Sequence, residues 1–186
     1  MTGLLVALLA MILFYAIQVA GSFIDMNMGF MIANVVDPQT GAQSPLVGTY
    51  LYTFAILFLL LVDGHHLLLD GVFYSYQFVP IDQLLLPLGD ESIVQYVVTT
   101  FSSMFVIAFQ MAFPIVGSIF LVDIALGMVS RAVPQMNVFV VGLPLKILVG
   151  LLLLTTFIGL FFMIVQRLFN EMTVAMRTLL QLLGGT

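Results

Sequence analysis

Two groups of residues in this chain have the types that could do chemistry. The first is the run DGHHLLLD at 63–70. On a helix, Asp63 and His66 share a face, as do His66 and Asp70. Neutral imidazole together with carboxylate suits Zn²⁺ or Fe²⁺. A metalloenzyme built on His65 and His66 is therefore one reading. The run lacks an HExxH arrangement, however, and no second cluster supplies further ligands where a metal site takes three or four. The simpler reading is that Asp63-Gly64 ends an apolar span and the histidines hydrogen-bond at an interface, with no metal and no cofactor.

The second group is Asp25, Asp123 and Lys146, each inside an apolar run. Charges at membrane depth are costly and face a partner or a watery cavity. They could form the polar relay of a small secondary transporter. With no repeated polar face beside them, pairing with polar groups of a neighbouring subunit, or a position beyond the lipid, is the plainer expectation. No Ser/His/Asp ordering, phosphate-cradling glycine loop or cofactor motif is present. Gly3 and Gly21 fit a small-residue face for helix packing better than a nucleotide fingerprint. The chain reads as a non-enzyme.

The elements that must position these residues follow from composition. Of 186 residues, 62% are hydrophobic and 7% charged, against about 25% charged in a soluble domain. The chain is an integral membrane protein, all-α and polytopic, with long helices. Its net charge of -5 comes with only four basic residues, so no basic patch exists for nucleic acid. Cysteine is absent, which excludes disulfides and thiolate metal sites. The N-terminus lacks the positive residues that precede a signal peptide's apolar core, and reads as an uncleaved helix or the edge of a longer protein.

Apolar runs at 3–24, 46–62, 93–129 and 137–165 predict four helices. The run at 93–129, about 55 Å if helical, is too long for one straight crossing. Pro114 inside it should kink it. Gly142 and Pro144 stand near the start of the last run. The stretch 65–78 is apolar but polar-flecked, with Tyr74 and Tyr76 suited to an interface. Residues 80–92, with two prolines and three acids, form a loop between two halves. Leu168, Phe169, Met172, Met176 and Leu179 share one face of an amphipathic end helix. Membrane orientation stays open, because Arg131 and the pair Arg167 and Arg177 flank opposite ends of the last span.

One segment resists a plain helical reading: MNMGFMIANVVDPQTG at 26–41, rich in methionine and interrupted by Gly29, Asn34 and a turn. Irregular backbone at membrane depth must be buried in protein or line a wet cavity. Methionine is flexible and polarizable and fits variable surfaces. Between Met28 and Val36 there is no charge. An ordinary buried loop and a soft seal are both compatible with these residues.

Three blocks carry a family resemblance: GSFIDMNMGFMIANVVDPQTGAQSP, DGHHLLLDGVFYSYQFVPI and ALGMVSRAVPQMNVFVVGLPLKI. Together they closely resemble the FliR family of type III secretion export gates, flagellar and injectisome alike. They occur in family order and cover nearly the whole chain, which begins after further N-terminal helices that the family has. The resemblance implies a FliP-like part at 1–92 followed by a FliQ-like helical hairpin with an amphipathic end helix at 93–186. It implies assembly with FliP-like and FliQ-like subunits, beside FlhB-like and FlhA-like export proteins, into a channel for unfolded flagellar proteins. The place would be the bacterial inner membrane at the flagellar basal body, with the gate largely above the lipid plane. The loop at about 28–44 would be a plug. Met28, Gly29, Phe30, Met31 and Ile32, with Ala33, Asn34, Val35 and Val36, would pack in the closed pore, and Asp37, Pro38 and Gly41 would shape its turn. Pro114, Arg131, Pro134, Gln135, Pro144 and Lys146 would serve the hairpin and its subunit contacts. The 63–66 run inherits a structural role.

Overall fold

A computed structural model describes residues 2–31, 45–79, 91–133, 135 and 137–184. Five helices are found among them: α1 Thr2–Met28, α2 Leu46–Leu61, α3 Gly64–Phe78, α4 Glu91–Ala132 and α5 Val138–Gly184. No strand occurs among the described residues. The protein is an all-α polytopic membrane protein. α1, α4 and α5 are each long and apolar enough to cross a membrane, and α2 with α3 makes a fourth candidate span, bent by 75°. At 16 residues, α2 reaches only about 24 Å, short of a hydrocarbon core of about 30 Å. The sequence-predicted loop at 80–92 lies almost wholly outside the described residues, as do residues 32–44 and Pro134.

The long helices extend beyond the apolar runs that predicted them. α4 continues through Pro114 for 42 residues. α5 runs 47 residues through Pro144 and on to Gly184, so the predicted end helix is the last part of a continuous helix. The polar pair Gln166-Arg167 changes composition without breaking the backbone, and no proline or glycine falls between Leu160 and Leu183. Asn137 starts α5 by accepting from the N–H groups of Phe139 at 3.1 Å and Val140 at 3.4 Å, as N-cap asparagines do.

The chain divides into two compact units, one of residues 1–16, 54–107 and 163–186, the other of 17–53 and 108–162. In the first, the α5 residues expected on one face are all buried: Leu168, Phe169, Met172, Met176 and Leu179. The Phe169 ring stacks on Phe14 at 6.1 Å and on Phe58 at 6.2 Å. A Cβ at Gly71 would lie 2.2 Å from Met176 Cε, so glycine there lets the methionine reach the α3 backbone. The Asp63-Gly64 break is present where the sequence placed it. Asp63 takes the left-handed conformation (φ 55°, ψ 23°) ahead of α3, a place that Asp tolerates better than most residues.

In the second unit, α1 buries Ile17, Ala20, Ile24 and Met28 at helical spacing. Gly21 meets Gly48 of α2 so closely that a Cβ on Gly21 would stand 2.0 Å from Gly48 Cα. α4 and α5 form an antiparallel hairpin, since Asp123 pairs with Lys146 and Leu126 touches Gly142, both pairs placed symmetrically about the short connection between the two helices. Side-chain hydroxyls bond back to their own helices, as Thr49 to Pro45 O and Ser118 to Pro114 O do at 2.8 and 2.7 Å. Such local bonding satisfies a hydroxyl where lipid offers no partner.

Gly21→Ala must push two helix backbones apart and should cost about 1–3 kcal/mol, the usual range for overpacking, seen as a lower thermal midpoint in detergent. Gly159→Ala, whose added methyl meets nothing within 4 Å, should leave that midpoint unchanged or raise it slightly.

Candidate functional site

Asp25 takes part in hydrogen bonds through both its backbone carbonyl and its carboxylate. It is buried, 1% exposed, near the end of α1. Its backbone carbonyl accepts from the N–H groups of Gly29 and Phe30, both at 3.1 Å. Gly29 has φ 89°, the left-handed cap that glycine adopts without a Cβ penalty. α1 therefore stops at Met28 for a local reason. Its carboxylate meanwhile accepts from Val47 N–H at 3.0 and 3.1 Å and from Gly48 N–H at 3.4 Å. Those amides belong to the first turn of α2, which begins after Pro45 with no side-chain oxygen at the capping position. The unmatched donors of a helix N-terminus attract a carboxylate. Asp25 supplies it from 22 residues away.

A cleft of about 430 Å³ is lined from α1 and its end by Met26, Asn27, Gly29 and Met31, and from the hairpin by Asp123, Leu126, Phe139, Gly142 and Lys146. The Asp123 carboxylate and Lys146 ammonium form an ion pair in its wall. Both are part-exposed, at 40% and 24%, so the pair is a modest contributor to stability. The wall is otherwise mostly apolar.

The structure brings some of the sequence-derived site residues together and leaves others apart. Gly29, Met31 and Lys146 line the cleft. Met28 is fully buried, and its thioether crowds Gly150, where an added Cβ would lie 2.5 Å from Met28 Cε. Phe30 is half-buried. Pro114 is half-buried within α4, while Arg131, Gln135 and Pro144 are exposed at and beside the hairpin turn. Ile32, Ala33, Asn34, Val35, Val36, Asp37, Pro38 and Gly41 lie outside the described residues. The three charges set apart in the sequence do not act as one group. Asp25 is engaged by backbone amides, and Asp123 pairs with Lys146 within the chain.

The 63–70 run differs in detail from its helical reading. Donor atoms of Asp63, His65 and His66 lie within 4.8 Å of one another, and Asp70 is not in the group. Asp63 caps the helix rather than lying in it, yet it still meets His66, while His66 and Asp70 stand one turn apart within α3. The imidazole centroids are 4.2 Å apart, and His65 Nδ1 is buried without a hydrogen-bond partner. All three donors come from four consecutive residues, and among the described residues no second element adds a ligand.

Residues 1–172 match the family described as bacterial export proteins, family 1. The chain belongs to this family. Among relatives of this export family, the flagellar biosynthetic protein FliR of Bacillus subtilis is 53% identical over 184 residues, covering 99% of this chain and 71% of that protein. FliR of Escherichia coli is 28% identical over 85% of this chain and 59% of its own length. The Yop proteins translocation protein T of Yersinia pestis is 31% identical over 83% and 59%. The chain thus spans less than two thirds of these last two export-family relatives.

Asn27, Leu126 and Phe139 are cleft residues that sequence reading did not name, and Gly142 was noted only for its place near the start of the last run. Leu126 and Gly142 could have been found from the hairpin symmetry about the turn. Val47 and Gly48 carried one faint sign, a helix start after proline with no capping side chain. The ion pair yields a test. Lys146→Met alone leaves a part-buried carboxylate unpaired, whereas Asp123→Asn with Lys146→Met leaves none. The double variant should melt closer to wild type than the Lys146→Met single, by differential scanning in detergent.

Proposed function

We propose that this chain is an export-gate channel subunit of the flagellar type III secretion apparatus. With FliP-like and FliQ-like subunits it forms a gated pore for unfolded flagellar proteins, and FlhB-like and FlhA-like export proteins work beside it. The site of action is the bacterial inner membrane, at the flagellar basal body. The 53% identity with a flagellar FliR carries this reading and favours the flagellum over the injectisome.

In this reading residues 28–44 are the plug. Three observations support it. α1 ends at a built-in glycine cap rather than fading out. The residues leaving that cap, Gly29 and Met31, line a largely apolar cleft. From there to Val36 the sequence holds no charge. A hydrophobic constriction blocks hydrated ions because water is unfavourable in it. Flexible methionines can then repack around chains of varied sequence. The hairpin of α4 and α5 acts as the FliQ-like part and residues 1–92 as the FliP-like part, with Pro114, Arg131, Gln135, Pro144 and Lys146 serving subunit contacts.

Deleting residues 29–36 should leave the subunit able to assemble but make the resting gate leak ions. Membrane conductance or dissipation of the proton gradient in cells carrying the deletion reads this directly. An intact ion barrier with assembled complex would refute the plug.

A further inference from the structure

We propose that Asp25 is a positioning residue, a latch whose carboxylate holds the end of α1 against the start of α2 and so fixes the base from which the plug departs. The proposal rests on the plug reading for its functional consequence, but the latch itself stands on geometry. One residue closes both helix ends. Its carbonyl receives Gly29 and Phe30, and its carboxylate receives Val47 and Gly48. The backbones at this junction are in direct approach, Gly21 against Gly48, so the carboxylate is held beside amides that have no other side-chain acceptor among the described residues. The group is almost wholly buried, so water cannot replace it when it is removed. Without the carboxylate, two amides lose their acceptor and the first turn of α2 is free to fray.

A hydrophobic spacer would not do this work, and that separates a latch from mere packing. Asp25→Leu fills the site but accepts nothing, whereas Asp25→Asn keeps one acceptor oxygen. Hydrogen-exchange mass spectrometry on the assembled complex, read over peptides spanning 46–50, tests the difference. Exchange should quicken by about ten-fold in Asp25→Leu, the scale of a lost N-cap, and by less in Asp25→Asn. Ion leak should rise in the same order. Wild-type exchange in both variants overturns the latch. Should Asp25→Leu fail to assemble, wild-type exchange in Asp25→Asn overturns it alone. The outcome is separable from that of the plug. Faster exchange with a tight 29–36 deletion keeps the latch and removes the plug, while a leaking deletion with unchanged exchange does the reverse.

Discussion

A single buried carboxylate joins the end of α1 to the start of α2. An ionised or protonated acid at membrane depth would be a liability without partners. Asp25 is surrounded by backbone donors instead. Two amides of α2 reach its carboxylate, and the glycine cap of α1 turns on its carbonyl. The bonds are mutually dependent. α2 begins with no capping side chain of its own, and α1 is ended by Gly29 so that the chain can leave. Small residues let the partners come close enough, with Gly21 and Gly48 in direct backbone approach.

The remaining architecture meets the second constraint, that lipid accepts no hydrogen bonds. Helices of 42 and 47 residues extend about 63 and 70 Å, roughly twice the hydrocarbon thickness. Much of their length must therefore lie among protein or water, which suits a subunit of a membrane-embedded export complex. Serine and threonine hydroxyls are returned to their own helices. The Asp123–Lys146 pair neutralises the charges of the hairpin. What stays uncompensated is apolar surface, such as Phe109 and Phe113 on α4 at 56% and 59% exposure.

Much of this was legible in the sequence. The four apolar runs, the break at Asp63-Gly64 and the buried face through Leu168 and Leu179 follow from periodicity and turn chemistry. The continuity of α5 was not, because polar Gln166 and Arg167 look like a boundary although neither breaks a helix. The buried face of α1 was hidden as well. That helix is apolar all round, with Leu4 and Met11 exposed while Leu9 and Leu13 are buried, so composition cannot say which side meets protein. The partners of Asp25 were out of reach for a different reason: they are backbone amides far along the chain, and only the fold brings them near. Physics leaves the choice between a buried loop and a seal open, and the proposed plug follows the family resemblance.

That choice is also where the account is most exposed to test. A photo-crosslinking amino acid at Met31, 49% exposed beside the cleft, should capture an export substrate stalled in the assembled complex. The same probe at Leu121, 66% exposed on α4, should capture none. Crosslinking confined to position 31 is the predicted result. Absence of substrate at 31, or equal capture at both positions, would contradict the assignment of this segment to the export path.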